Sequence, residues 1–251
     1  MTVEEVFPPF SIPIQMRLFR TRVRTVAVEL VGLAQIDEVA TFATAKRMNE
    51  HLSGRWLLGE ALREWGLEVS AIEVLRTSQR APVLSYLPGV WLNSPLPAMS
   101  VCHSSGWAYV ALAEHGWSVG FDAEDAQRGI AANAFDMMAK GEELRWLRSN
   151  SDRAIELWTS KEAVQKAMQL GMHLNPRLIK IPIEERNEEI SIEKSKIQLK
   201  SWSFDGVQMA LAWKKGSERV YSAEDELLDA TRSAMQEQEW GVGCKTVRGN
   251  V

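Results

Sequence analysis

Two short segments of this 251-residue chain, Val119-Gly120-Phe121-Asp122-Ala123-Glu124 and Trp158-Thr159-Ser160-Lys161-Glu162-Ala163-Val164-Gln165-Lys166, can bring three carboxylates and a lysine to one site. That set suits metal-assisted chemistry on a phosphate. Magnesium takes hard oxygen ligands in octahedral geometry and keeps waters, so Asp122, Glu124 and Glu162 with substrate phosphates would complete its shell. On a strand the period of two puts Asp122 and Glu124 on one face, and on a helix Glu162 stacks over Lys166 four residues on. Each motif also has a plain alternative, a solvated acidic edge for the first and an amphipathic helix with Lys161 and Glu162 facing water for the second. Their joint occurrence favours the functional reading.

Further residues could hold the anionic part of such a substrate. His103, in Cys102-His103-Ser104, is flanked by small polar residues rather than set on an apolar face, and as a donor it could hold a phosphate oxygen. Arg55 and Arg80 could grip phosphate with forked guanidinium bonds, with Lys46 and Arg47 as weaker choices. Phe135, Met137 and Met138 could form an adaptable apolar surface for a partner protein, or plain core.

The elements that must position these groups can be read from pattern. Thr25 to Leu33 is rich in β-formers and is expected to be a buried strand. Leu58, Ala61, Leu62 and Trp65 mark a helix that Ser53 could cap and Gly66 could end. The prolines between Arg80 and Pro97 imply loop. Trp107 to Ala113 and Trp117 to Asp122 are expected to form a hairpin around Glu114-His115-Gly116, carrying Asp122 and Glu124 at its far end. Gln127 to Asn150 is helical in composition with breaks at Gly129 and Gly141, and Ser151 or Asp152 could cap a helix running to Leu170. A β meander follows over Glu189 to Glu193, Lys196 to Trp202 and Val207 to Trp213, with Asp205-Gly206 as a hairpin turn. Glu224 to Gln238 is the last expected helix.

Composition narrows the class. Hydrophobic residues make up 45% of the chain, enough for a sizeable core. No apolar run approaches a membrane span and the N-terminus lacks signal-peptide chemistry, so a soluble cytoplasmic protein without membrane partners is expected. Two cysteines, Cys102 and Cys244, are too few for a disulfide framework and carry no zinc spacing. A net charge of −4 argues against general nucleic-acid binding.

In order and rough spacing, these motifs resemble the signature of the surfactin-type phosphopantetheinyl transferases. Cys102-His103-Ser104 resembles that family's Ser-His-Ser, Val119 to Glu124 its Val-Gly-Ile-Asp-x-Glu, and Trp158 to Lys166 its Trp-x-x-Lys-Glu-Ala-x-x-Lys. Arg55 with Leu57 and Leu58 resembles its arginine-led helix. The likeness covers about residues 45 to 175. Cys102 stands where the first serine is usual, Ala81 where many members have a basic residue before the proline, and Trp56 where some have a small hydroxyl residue.

The resemblance implies an α+β monomer of two similar subdomains, each an antiparallel sheet packed with helices, spanning 1–115 and 116–251, the second carrying the metal-binding motifs. Coenzyme A and Mg2+ would lie between the halves. It implies transfer of phosphopantetheine from coenzyme A to a serine hydroxyl of an apo acyl or peptidyl carrier protein, releasing adenosine 3′,5′-bisphosphate. Asp122, Glu124 and Glu162 would hold the metal. Glu162 or a metal-bound water would take the serine proton, and Lys166 would steady or protonate the leaving phosphate. His103, Arg55, Arg80 and Lys166 would hold coenzyme A. A magnesium-dependent phosphodiesterase and a carrier-binding scaffold without turnover are the alternatives.

Overall fold

A computed structural model describes residues 1–90, 95–182 and 189–216. The helix expected over Glu224 to Gln238, Asn93 and Cys244 fall outside these residues. In chain order the strands are β1 (Glu4–Glu5), β2 (Met16–Arg22), β3 (Ile72–Arg76), β4 (Pro82–Tyr86), β5 (Ala98–Ser104), β6 (Trp107–Ala113), β7 (Trp117–Asp125), β8 (Glu189–Ile192), β9 (Ser195–Phe204) and β10 (Val207–Lys215). The helices are α1 (Ile36–Ala40), α2 (Ala45–Glu64), α3 (Phe135–Met138), α4 (Gly141–Ser149) and α5 (Ala154–Ala167), with short 3-10 turns between them.

The fold is α+β. Two four-stranded antiparallel sheets, in the orders β1-β2-β6-β5 and β7-β10-β9-β8, each carry a long helix, and β3 and β4 form a separate ribbon. Strand periodicity explains the layering. Phe19, Val110 and Leu112 of the first sheet pack on Leu57, Leu58, Ala61 and Leu62 of α2. On the opposite face Leu18, Tyr109 and Ala111 meet Phe121, Met209 and Leu211 of the second sheet in a shared core. The second sheet turns Ala210, Ala212, Ile197 and Leu199 toward Ala163, Val164 and Ala167 of α5. That shared core draws on residues from both sides of position 115.

Four local expectations are corrected. Thr25 to Leu33 is no strand: Val28–Leu30 is a 3-10 turn, and the Ser53 hydroxyl accepts from Arg24 N at 3.1 Å and donates to Arg24 O at 3.2 Å. Within the segment Leu30 N donates to Ala27 O at 3.1 Å and Val31 N to Val28 O at 3.0 Å, so turn bonds stand in place of the expected strand ladder. Ser53 lies inside α2, which begins eight residues earlier with Thr44 capping Arg47 N at 3.3 Å; its end at Gly66, with φ of 91°, is as expected.

The proline-rich stretch contains β4, because Pro82 is its first residue and a proline there costs no interior ladder bond. Finally, β6 and β7 turn at Gly116 (φ 86°) but do not pair. Both edges of β6 are taken by β2 and β5, so β7 enters the other sheet, and the Ser100 hydroxyl of β5 accepts from Phe121 N at 2.9 Å beside it. The meander closes as expected at Asp205 and Gly206, with φ of 54° and 73°.

Candidate active site

Strand β7 sends Val119, Phe121 and Ala123 into the shared core, which leaves Gly120, Asp122 and Glu124 on the face toward α5. Gly120 sets how closely the helix approaches. A Cβ there would stand 1.9 Å from Ala163 O and 2.4 Å from Ala167 N, so only glycine lets α5 lie directly on the strand. One turn of that contact carries Glu162, and the next carries Lys166.

The two motifs meet. Lys166 Nζ donates to Asp122 Oδ1 at 2.6 Å and to Phe121 O at 3.2 Å, with the Asp122 side chain 5% exposed. Burial disfavours the charge on Lys166, yet Asp122 and its neighbours outweigh that and raise its pKa. Asp122 Oδ2 is buried and has no hydrogen-bond partner among the described residues. Glu162 is pushed up to about 7, first by burial and then by the charges of Asp122 and Glu124. Glu124 is raised for the same reasons, although Arg128 holds its carboxylate at 3.0 Å.

Three hard oxygen donors, an orphaned buried carboxylate oxygen and a glutamate forced toward protonation are what a site for a divalent cation presents before the cation arrives. The donor set fits magnesium. The present arrangement is not a closed ligand set: among the described residues no group of three or more His, Cys, Asp or Glu side chains is placed to hold a metal ion. Within the cluster Lys166 occupies one oxygen of Asp122 and Arg128 pairs with Glu124.

Residues 118–213 match the family model of the 4′-phosphopantetheinyl transferase superfamily. The matched stretch contains β7, α5 and the meander, and so every carboxylate of this cluster. The match supports a transferase of phosphopantetheine. No curated protein matches the chain.

Outside the superfamily match, the predicted phosphate-binding residues other than Arg80 fall into two groups. His103, on β5, stands with its Nε2 2.8 Å from Arg47 Nη1 and its Nδ1 3.6 Å from Glu50. Burial lowers its pKa; Glu50 opposes that and Arg47 adds to it, and both Lys166 and Asp122 act on it electrostatically. Lys46 lies 3.9 Å from the same Glu50. Arg55 is buried in α2 and faces Glu38 of α1 at 3.4 Å, together with Arg76 of β3. Arg80 adjoins that group through its backbone. It is exposed at the left-handed corner of the β3–β4 turn (φ 63°), where its carbonyl accepts from Arg76 at 3.0 Å.

Sequence reasoning missed several residues that build the site. Lys161 does not face water: it is fully buried, and its ammonium donates to Glu143 at 2.6 Å, Pro176 O at 2.9 Å and Ile179 O at 2.6 Å, tying α5 to α4 and the segment beyond. Gly120 carried a signal, an unexplained glycine within a strand pattern. Arg76 and Glu38 carried none, because their pairing joins positions 38 residues apart. Cys102 belongs to the shared core, and burial raises its thiol pKa. Phe135 and Met138 are core, while Met137 is 71% exposed.

Proposed function

We propose that this protein transfers the phosphopantetheine group of coenzyme A to a serine hydroxyl of an apo acyl or peptidyl carrier protein, in the manner of the surfactin-type transferases and with a magnesium requirement. The contact that carries the reading is Lys166 on Asp122 at 2.6 Å, which joins the two motifs inside the stretch similar to the superfamily. The working molecule is a monomer of two α+β halves, 1–115 and 116–251, with co-substrate at their seam and no membrane or nucleic-acid partner. No helix among the described residues is long and apolar enough to cross a membrane.

In this reading the serine oxygen attacks the pantetheine-bearing phosphorus, and the pyrophosphate P–O bond breaks to release adenosine 3′,5′-bisphosphate. Glu162, its pKa pushed up to about 7 by burial and then by Asp122 and Glu124, takes the serine proton. Lys166, kept protonated by Asp122, meets the charge that develops on the leaving phosphate. His103 and Arg55 hold coenzyme A phosphates, with Arg80 at the rim. Asp122, Glu124 and Glu162 would hold magnesium, which when bound neutralises pyrophosphate charge.

The test is mass spectrometry of a panel of apo carrier proteins incubated with the protein, coenzyme A and magnesium. A gain of about 340 Da, the mass of the transferred phosphopantetheine group, is expected. No gain on any carrier overturns the reading. Release of free nucleotide without a carrier points to a phosphodiesterase, and carrier binding without transfer to a scaffold.

A further inference from the structure

The arginine pair at Arg55 and Arg76 already holds an anion of the chain's own. Glu38 Oε2 lies 3.4 Å from Arg55 Nη2, Glu38 Oε1 accepts from Arg76, and His51 Nε2 stands 3.9 Å away. Arg55 is 95% buried by residue and so has no other route to solvation than this group. The charges do not balance. Two guanidinium ions face one carboxylate, and Arg47 adds a third positive charge nearby, itself shared with Glu50 and His103.

His51 registers the excess. It is lowered to about 4, first by burial and then by Arg55, with Arg76 and Arg47 adding and Glu38 opposing. Its Nε2 has no hydrogen-bond partner among the described residues. A neutral histidine with a spare ring nitrogen beside two arginines can meet one more oxygen than Glu38 supplies.

The element that carries Glu38 is weakly seated. Helix α1 has five residues, none of them buried, no side-chain cap, and Ile36 71% exposed. Around it, Gln35 donates to Val74 O at 2.9 Å and Phe42 rests against the His51 ring at 4.9 Å. A helix this short has little stability of its own. Charge therefore does much of the work of holding it down.

We propose that Glu38 is an internal anion occupying the Arg55–Arg76 seat of a phosphate group, and that α1 leaves the seat when a phosphate ligand enters. Arg76 is then a phosphate-binding residue alongside Arg55. A phosphate brings nearly twice the charge of a carboxylate and three acceptor oxygens, matched to paired guanidinium forks and to the idle His51 nitrogen. Glu38 competes with it and sets how readily the seat opens. The proposal deepens the coenzyme A reading, on which the identity of the ligand rests, but the competition itself concerns any phosphate.

Isothermal titration of the full chain with adenosine 3′,5′-bisphosphate, and separately with inorganic pyrophosphate, tests it. Glu38→Gln should bind at least one of the two about tenfold more tightly, because a competent seat no longer has to be vacated. Arg76→Gln should weaken binding in the wild-type and the Glu38→Gln backgrounds alike. Tighter binding of the bisphosphate alone assigns the seat to a nucleoside phosphate, and of both to either source.

Should Glu38→Gln not fold, Glu38→Asp, which withdraws the carboxylate by one methylene, should still tighten binding by a smaller factor. Unchanged or weaker affinity in the folded Glu38 variant, or an Arg76→Gln variant with wild-type affinity, overturns the proposal. Affinity that rises as expected in a protein unable to modify any carrier leaves the seat in place and removes the transferase reading. Transfer with no change in affinity does the reverse.

Discussion

Lys166 and Asp122 are 44 residues apart in the chain and meet at 2.6 Å across the contact between α5 and β7, while the second oxygen of Asp122 is buried without a partner. The lysine neutralises half of a carboxylate that still lacks something on its other side. Similar internal pairing recurs in the chain: Arg128 with Glu124, Arg47 with Glu50, and Arg55 and Arg76 with Glu38. These pairs meet the charges only in part, and phosphate and cation ligands would have to exchange with them.

Replacing Lys166 by methionine leaves Asp122 with no cation. Stability at neutral pH should fall by roughly 1–3 kcal/mol, the range for losing a partly exposed charged hydrogen bond. Adding millimolar magnesium should return part of the loss, since a ligand that binds only the folded state stabilises it. Urea unfolding with and without magnesium measures both effects. An identical curve in the two conditions would count against Asp122 as a ligand.

Glu162 makes stability depend on pH in a defined direction. Its pKa is about 7 in the fold against 4.5 ordinarily, so below the lower value it is protonated in both states and costs nothing. Between the two the unfolded chain ionises while the fold keeps the proton, and stability falls as pH rises, levelling off above about 7. The full effect is on the order of 2 kcal/mol once solvent screening is allowed for. Glu162→Gln should abolish that loss between pH 5 and pH 8, measured by denaturant unfolding in a metal chelator, and should also abolish transfer.

Gly120→Ala tests the close approach of α5. A methyl group 1.9 Å from Ala163 O has no room, and the obstacle is backbone rather than a movable side-chain end. The helix must shift off the strand, costing about 1–3 kcal/mol or more, and should carry Glu162 and Lys166 away from Asp122. A variant with wild-type melting temperature and wild-type transfer would show that the contact is not needed.

Lys161→Ala should be more damaging than its place beside Glu162 suggests. It strands Glu143 and two carbonyls that the buried ammonium now satisfies, and removing one partner of a buried pair costs about 3–5 kcal/mol. Pairing the change with Glu143→Gln should recover part of the loss, which a double-mutant cycle in urea would read. Strict additivity of the two changes would remove the pair from the account.

Strand and helix periods in the sequence already place Asp122 with Glu124 and Glu162 with Lys166, because side-chain direction along a regular element is a local property. The same local rules foresee the Gly66 helix end, the Asp205-Gly206 turn and the meander. They fail where the outcome depends on what a segment packs against. Thr25 to Leu33 has strand composition, but its backbone closes into turn bonds at Leu30 and Val31; β7 looks like the partner of β6, but β2 and β5 already cover both of its edges.

Which groups share the site is likewise a tertiary matter. Pattern offers a solvated Lys161 as the plain reading of its helix and gives no sign of Arg76 or Glu38. The fold instead sets Arg76 beside Arg55, encloses Lys161 under Pro176–Leu178, and seats Glu38 on the arginines. Sequence by itself determined the chemical types and the direction each motif faces. Only the tertiary structure decided which charges meet, since pairing across tens of residues is set by the docking of α1, α2 and α5 on their neighbours, and no local period encodes that.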